Sequence, residues 1–288
     1  MAQLDYYRPK TLEEALALLD EGREQAVPVA GATDVWVNLR AKKIVPRALV
    51  SLRAVAGLAG LRQDGASLSL GATTPHWVVE DSAWMAEHLP ALHRACSAVG
   101  SRQVRNVGTV GGNLCNAAPS ADSAVPLLLY DARCVLRSSL GAREVAVADF
   151  FLAPGKNALR PGELLTEIRV PLPAPRTFAG YWKHTRRKAM ELPLLGVGAL
   201  VTLAADGDTV VGARIALGVA GPVPLRIAKA EAVLEGRKLT VEAVREAAEI
   251  AAQEAQVRDS WRGKAWYRRE MIRVLIPRVL TEAGALNG

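Results

Sequence analysis

The segment from Arg105 to Asn113 limits what this chain can fold into more than any other, because it mixes three glycines with threonine and asparagine. Glycine has no side chain to block a ligand and tolerates positive φ, so backbone N–H groups in such a run can converge on one point. A concave set of N–H donors suits a phosphate group. No Gly-x-x-x-x-Gly-Lys sequence occurs in the chain, which argues against a P-loop nucleotide hydrolase. The alternative is a turn with a structural role only.

A second glycine turn, Gly31-Ala32-Thr33-Asp34, stands between a short apolar run at 26–30 and a segment that resumes a helical pattern. The order strand, tight turn, helix would place N–H groups at the positive end of a helix dipole. Such a turn is common in α/β units and is weak support by itself. Two of them about 80 residues apart favour one dinucleotide held between two subdomains.

Capping signals and apolar periodicity predict the other elements of the first half. A capping box at Thr11 predicts a helix at 11–21. Thr74-Pro75 is typical of an N-cap followed by proline at the first helical position. The segment from Gly100 to Asp122 is expected to be the least helical. The remaining predictions are helices at 87–99 and 123–130, and strands at 49–52, 67–70, 133–137 and 164–170.

Three prolines at 171, 173 and 175 predict a stiff domain boundary. Beyond it the Asp206-Gly207-Asp208 turn predicts a hairpin in an antiparallel sheet. The expected fold class is α+β, with a first domain at 1–175, divided into subdomains of about 1–55 and 56–175, and a smaller α+β domain at 176–288. The elements predicted for the second domain are strands at 179–186, 197–205 and 210–219, and helices at 225–235, 241–256 and 265–283.

Composition removes several classes of function. The net charge of +7 arises among 29 interleaved acids with 5% aromatic residues, which argues against nucleic acid and favours an anionic cofactor or an acidic partner surface. Cys96, Cys115 and Cys134 lack paired spacing, and the four histidines lack metal-ligand spacing, so neither a zinc site nor an iron-sulfur cluster is expected here. No apolar stretch is long enough to cross a bilayer and no leader pattern is present, so a cytoplasmic protein is expected. The chemistry would then come from a cofactor.

In order and spacing, four segments resemble the flavin-binding medium subunits of molybdenum hydroxylases, related to carbon monoxide dehydrogenase and to the FAD domain of xanthine dehydrogenase. The resemblance spans nearly the whole chain. It depends on Ala30-Gly31-Ala32-Thr33-Asp34, Gln103-Val104-Arg105-Asn106, Gly108-Thr109-Val110-Gly111-Gly112-Asn113 and Ala118-Pro119-Ser120-Ala121-Asp122.

The resemblance implies a two-subdomain FAD-binding domain of the PCMH type, with FAD lying between the subdomains. Both glycine segments would hold the diphosphate and neighbouring groups of FAD, largely through backbone N–H donors. Asp122, Leu165 and Lys183 match further cofactor contacts, and Leu192 falls where a residue flanks the flavin ring. From the residues alone, the strand around Lys183 looks first like an exposed basic strand. The glycine-segment residues implied to hold FAD are Ala30, Gly31, Ala32, Thr33, Asp34, Thr109, Val110, Gly111, Gly112 and Asn113.

Two departures from the family pattern affect single contacts. Ala32 replaces a glycine found in many members, so the turn is expected to tolerate less positive φ there, and Ala118 removes a hydroxyl. The cysteine-rich iron-sulfur loop of one branch of the family is absent. The family therefore implies that electrons pass directly between FAD and [2Fe-2S] clusters on a small partner subunit.

The implied complex also contains a large molybdenum-cofactor subunit, as a heterotrimer or its dimer, and this chain needs no catalytic residue of its own. Two other interpretations remain open at this point. One is a self-sufficient FAD oxidoreductase with its own substrate pocket, and the other is a non-catalytic nucleotide-binding or assembly module that has lost flavin.

Overall fold

The computed structural model describes residues 4–286, and its N-terminal part is a small parallel sheet covered by helices. The strand order is β1-β3-β2, with β3 pairing in parallel on both sides. The first helix begins at the predicted capping box, where Thr11 Oγ1 accepts from the Glu14 N–H. The apolar face of this helix is buried. The elements are β1 (Asp5–Tyr7), α1 (Leu12–Gly22), β2 (Ala26–Val29), α2 (Thr33–Arg40) and β3 (Ala48–Ser51).

The second part of the first half is a five-stranded antiparallel sheet with a layer of short helices. The strand order is β4-β5-β10-β6-β7, and a separate two-stranded hairpin pairs β8 with β9. The strands are β4 (Leu61–Asp64), β5 (Ser67–Gly71), β6 (Arg133–Ser138), β7 (Gly141–Ala146), β8 (Phe151–Ala153), β9 (Lys156–Asn157) and β10 (Leu164–Pro171). The helices are α3 (His76–Glu80), α4 (Ala83–His88), α5 (Pro90–Ser97), α6 (Arg102–Val107), α7 (Val110–Cys115), α8 (Ala124–Leu129) and α9 (Val147–Phe150).

The C-terminal part is an antiparallel sheet of four strands followed by three helices, which confirms the predicted α+β class. The Asp206 carboxylate accepts from the N–H groups of Asp208 and Thr209 and closes the predicted hairpin. The elements are β11 (Thr177–His184), β12 (Leu195–Leu203), β13 (Val210–Gly218), β14 (Leu225–Arg226), α10 (Ala228–Leu234), α11 (Val241–Glu254) and α12 (Ala265–Glu282). Among the helices of residues 4–286, none combines the length and apolar character needed to cross a lipid bilayer.

The main hydrophobic core extends across the predicted boundary at 171–175. Leu70 and Leu127 from the first half share one buried cluster with Tyr181, Leu200 and Ala216 from the C-terminal sheet. The opposite face of that sheet packs on α10, α11 and α12 in a second cluster. The strand β12 is buried on both faces for this reason, which explains its nearly continuous apolar sequence.

Several local predictions from the sequence are wrong, and each has a physical cause. Thr74 is not an N-cap: its hydroxyl bonds the backbone of Gly60, and Pro75 itself occupies the N-cap position. The helix predicted at 87–99 is broken at Leu89, because the following proline disfavours the helical conformation there and starts α5. The helix predicted at 225–235 begins only at Ala228, since the preceding pair forms β14.

The segment from Gly100 to Asp122, expected to be the least helical, contains two short helices. Ser101 Oγ accepts from the Val104 N–H at the start of α6, and Thr109 Oγ1 accepts from the Gly112 N–H at the start of α7. These hydroxyl caps satisfy N–H groups that would otherwise have no intrahelical partner. Capping therefore offsets the poor helix propensity of the glycines.

Candidate functional site

A cleft of about 540 Å³ lies where the N-terminal parallel sheet meets the helices after β5, and both glycine segments line it. This volume is within the range of cofactor pockets. Lys183 of β11 and Leu192 of the loop after it close the side formed by the C-terminal part. The predicted site residues that line the cleft are Ala30, Gly31, Ala32, Thr33, Asp34, Thr109, Gly112, Asn113, Asp122, Lys183 and Leu192.

The two glycine segments touch each other at Gly31. A Cβ on this residue would lie 2.0 Å from the carbonyl oxygen of Val107 and 2.8 Å from Cα of Gly108. Only a residue without a side chain fits between α2 and the backbone after α6. Gly31 therefore allows two segments about 80 residues apart to form one wall.

The turn before α2 places Ala32 in the left-handed region, with φ of 59° and ψ of 6°. Alanine therefore occupies a conformation that it tolerates less well than glycine does. An L-residue in this region costs about 1–2 kcal/mol. The turn aims the N–H groups of Ala32, Thr33 and Asp34 away from the helix, and none of them donates a hydrogen bond within residues 4–286.

The backbone of the second glycine segment is differently arranged. The Val110 N–H donates to the Thr74 carbonyl at 3.0 Å, and the Gly111 N–H donates to the Ala72 carbonyl at 2.9 Å. The Gly112 and Asn113 N–H groups both donate to Thr109, one to its hydroxyl and one to its carbonyl. The protein therefore already occupies the N–H groups of Val110, Gly111, Gly112 and Asn113.

Three of the predicted site residues lie outside the cleft. Val110 is fully buried, and a Cβ on Gly111 would lie 2.5 Å from the Ala72 carbonyl oxygen, so both pack against the chain after β5. Leu165 lies on β10, 4% exposed, in the main core. These residues support the wall of the cleft from behind.

Asp122 and Lys183 form a buried ion pair between the two halves of the chain. Lys183 Nζ lies 2.7 Å from Asp122 Oδ2, and the Tyr181 hydroxyl donates to the other carboxylate oxygen at 2.7 Å. Burial raises the pKa of Asp122, while the charge of Lys183 opposes that rise. With its side chain 10% exposed, Lys183 does not belong to an exposed basic strand, so that interpretation is wrong. The pair fixes a cation at the edge of the cleft.

Polar side chains connect the walls of the cleft. Asn116 Nδ2 donates to Asp34 Oδ1 at 3.1 Å and joins α7 to α2. Asn113 Oδ1 accepts from the Ser123 hydroxyl at 2.7 Å. The carboxylate of Asp34 is thereby held near the mouth.

His76 also lines the cleft, although no sequence motif includes it. It is 2% exposed, and its Nδ1 has no hydrogen-bond partner. Burial, together with the nearby charge of Arg105, lowers its pKa from 6.5 to about 4, so the ring is neutral at pH 7. A lone histidine after a Thr-Pro pair matches no motif, and only the fold places it against both glycine segments.

A short loop between β11 and β12 forms the rim of the cleft. The Glu191 carboxylate accepts from the N–H groups of Arg186 and Arg187 at 2.8 Å each, and the Met190 N–H donates to the Gly100 carbonyl. These bonds hold Leu192 at the mouth, where it is 49% exposed. An apolar side chain is therefore presented to whatever fills the cleft.

A second large groove lacks the features of this cleft. A larger groove of about 1020 Å³ beside α1 is lined by acids, among them Asp20 and Glu24, but not by either glycine segment. Within residues 4–286 no group of three His, Cys, Asp or Glu side chains is placed to hold a metal ion. The cleft is thus the candidate site for an anionic cofactor.

Comparison with known proteins agrees with this geometry. A family model described as the FAD binding domain in molybdopterin dehydrogenase matches residues 2–173, and one described as the CO dehydrogenase flavoprotein C-terminal domain matches residues 180–283. The chain is 37% identical over 288 residues to a xanthine dehydrogenase FAD-binding subunit of Escherichia coli O157:H7, covering 98% of this chain and 97% of that one. It is 33% identical to the carbon monoxide dehydrogenase medium chain of Afipia carboxidovorans, covering 98% and 96%.

Solved structures give the same result for the fold. A chain of the Cu,Mo-CO dehydrogenase superposes with a TM-score of 0.92 at 31% identity, covering 98% of both chains. A chain of quinoline 2-oxidoreductase from Pseudomonas putida 86 superposes with a TM-score of 0.91 at 28% identity, again covering 98% of both. Both similarities extend over the whole cleft and the C-terminal sheet.

Proposed function

Because the chain belongs to the family of FAD-binding subunits of molybdenum hydroxylases, we propose that its cleft holds FAD and that electrons pass through it between partner [2Fe-2S] clusters and an external acceptor. The chain is an oxidoreductase subunit with FAD as its cofactor. FAD supplies the redox chemistry when bound, and the protein binds and orients it. No general acid or base on this chain is required.

The observation that carries the proposal is the set of unoccupied N–H donors of Ala32, Thr33 and Asp34 in a cleft of suitable volume. Donors at the start of a helix of this length suit a diphosphate, which carries negative charge and accepts hydrogen bonds. Gly31 and Ala30 would let the diphosphate approach the backbone closely. The residues therefore fit the cofactor that the family binds.

The remaining cleft residues would fix the rest of the cofactor. Thr109, Gly112 and Asn113 would shape the wall, and the N–H groups of Gly112 and Asn113 already donate within the protein. The Lys183 cation, held by Asp122, would face the polar part of FAD, and Leu192 would lie against the flavin ring. We place Val110, Gly111 and Leu165 behind this wall, as supports of the binding surface.

We also propose a boundary near 171–175, with a FAD-binding domain at 1–175, made of subdomains of about 1–55 and 56–175, and a C-terminal domain at 176–288. The two family models meet near this point, which supports the division. The shared core across it indicates that the two parts are packed as one body.

The chain acts together with partner subunits, since its relatives are named as subunits or medium chains of dehydrogenases. We propose a small [2Fe-2S] subunit and a large molybdenum-cofactor subunit, assembled as a heterotrimer or its dimer. Full-length similarity to such subunits argues against a self-sufficient oxidoreductase. The relatives are named for substrates as different as xanthine, nicotinate and carbon monoxide, which agrees with a substrate pocket on another chain.

The test is native purification of the chain with its companions, followed by a visible spectrum and mass measurement. Flavin bands at about 370 and 450 nm, a small iron-sulfur chain and a large molybdenum chain are expected. Flavin without companions would contradict the electron relay, and no flavin after reconstitution would contradict the FAD site. Release of the flavin by denaturation and chromatography distinguishes FAD from FMN.

A further inference from the structure

His76 is a buried polar side chain that the rest of the protein leaves without a hydrogen-bond partner. It is 2% exposed, and its Nδ1 is sealed from solvent and takes no hydrogen bond. A buried polar atom without a partner costs free energy, so native structures rarely retain one without a reason. The ring nevertheless lines the cleft that holds the cofactor.

The second glycine segment holds His76 in place, and both glycine segments line the cleft with it. The His76 N–H donates to the Gly108 carbonyl at 3.0 Å, which anchors the start of α3 to the second segment. A Cβ placed on Gly108 would lie 3.6 Å from His76 Cδ2 and 3.8 Å from Thr33 Cγ2. Cδ2, the ring atom bonded to Nε2, and the Thr33 side chain thus both face Gly108, and both residues line the cleft.

The surroundings determine which nitrogen carries the proton. A neutral imidazole has one donor and one acceptor nitrogen. Nδ1 is sealed and has no partner in either protonation state, whereas Nε2 is not sealed, so we place the proton on Nε2, where an acceptor in the cleft can meet it. Arg105 of α6 adds positive charge near the ring and, with burial, keeps it neutral. The ring therefore presents a single N–H donor to the cleft.

We propose that His76 is a further cofactor-binding residue whose Nε2–H donates to the diphosphate of bound FAD, beside the N–H groups of Ala32, Thr33 and Asp34. The inference rests on the proposed function, because it needs FAD in this cleft. It adds a side-chain donor, from a helix outside both glycine segments, to a site otherwise made of backbone donors. The binding energy of the cofactor then offsets the cost of burying the imidazole.

The experiment compares His76→Leu with the wild-type full-length chain after removal of flavin. FAD affinity is measured by titration calorimetry, and stability by the urea midpoint of the flavin-free protein. Loss of one hydrogen bond to a charged group predicts FAD affinity reduced roughly 10- to 100-fold. The urea midpoint should stay unchanged or rise, because the variant removes a buried nitrogen without a partner. A structural role for His76 would instead lower both quantities.

Two controls make the test specific. His88→Gln alters a histidine on α4 that does not line the cleft and should leave FAD affinity unchanged. ADP serves as a second ligand, since it contains the diphosphate without the flavin, and His76→Leu should weaken ADP and FAD by the same factor. Weakening of FAD alone would overturn the diphosphate contact, as would a His76→Leu affinity within two-fold of wild type. If the wild-type chain binds no FAD, both this inference and the proposed function are overturned.

Discussion

Replacement of Gly31 by alanine should separate the two glycine segments. The new Cβ would lie 2.0 Å from the Val107 carbonyl oxygen and 2.7 Å from its carbonyl carbon, whereas ordinary contacts begin at 3.4 Å. The obstacle is backbone, so no side-chain rotation relieves it, and the segments must move apart by about 1.4 Å, the difference between 2.0 and 3.4 Å. Forced overpacking of this kind costs about 1–3 kcal/mol.

The same movement should displace the N–H groups that the diphosphate would meet. Hydrogen bonds weaken steeply beyond their normal length, so FAD affinity should fall at least about ten-fold, the equivalent of about 1.4 kcal/mol. The assay is urea unfolding of the flavin-free chain combined with FAD titration of the same preparation. A Gly31→Ala chain that keeps both the wild-type midpoint and the wild-type affinity would refute the proposed close contact.

The neighbouring position provides a matched control of opposite sign. Ala32 adopts φ of 59°, which glycine accepts without strain. Ala32→Gly should relieve about 1–2 kcal/mol of backbone strain, less about 0.5–1 kcal/mol for the greater flexibility of glycine in the unfolded chain. The expected result is a midpoint equal to or slightly above wild type. A loss of more than 1 kcal/mol would show that the left-handed turn is not strained.

Three further predictions concern single groups around the cleft. The folded-state pKa of His76 is about 4, below its unfolded value of 6.5, so the neutral ring contributes stability above pH 6.5 that is lost as the pH falls toward 4. The free energy of unfolding should fall by about 3 kcal/mol over this range. His76→Leu should remove that part of the pH dependence in urea melts of the flavin-free chain. Lys183→Met leaves the Asp122 carboxylate buried without its cation and should destabilise the folded chain by about 3 kcal/mol. The double variant with Asp122→Asn should recover most of this loss. Equal urea midpoints for the single and double variants would count against a stabilising ion pair. Thr109→Val removes the hydroxyl that accepts from the Gly112 N–H and should cost about 1 kcal/mol, with an unchanged thermal midpoint as the contrary result.

The sequence predicted those parts of the site whose chemistry is local. The sequence shows both glycine turns and predicted that they meet around one ligand. In the structure Gly31 contacts the second glycine segment, in agreement with that prediction. The occupation of the Gly111 N–H was not predictable, since its acceptor, Ala72, lies about 40 residues away and belongs to no motif. His76 was missed for the same reason.

The missed strands have a different cause. The edge strands β4 and β7 are short and mostly exposed, with sequences LRQD and GAREVA that contain no alternating apolar run. Their pairing with β5 and β6 comes from backbone hydrogen bonds, which leave little trace in the side-chain pattern. The proline after Leu89 indicates a break in the helix there. The apolar periodicity of 87–99 favoured one continuous helix instead.

The single core shared by both halves has a consequence for biosynthesis. As the chain leaves the ribosome, Leu70 and Leu127 appear well before the residues that complete their packing, Tyr181, Leu200 and Ala216. At about 5–20 residues per second, the interval between Val170 and Ala216 lasts roughly 2 to 9 s. During that interval the nascent N-terminal half exposes apolar surface that its own residues cannot cover. Its dependence on chaperones should therefore be greatest just before β13 is made, and slower translation at that point should increase aggregation.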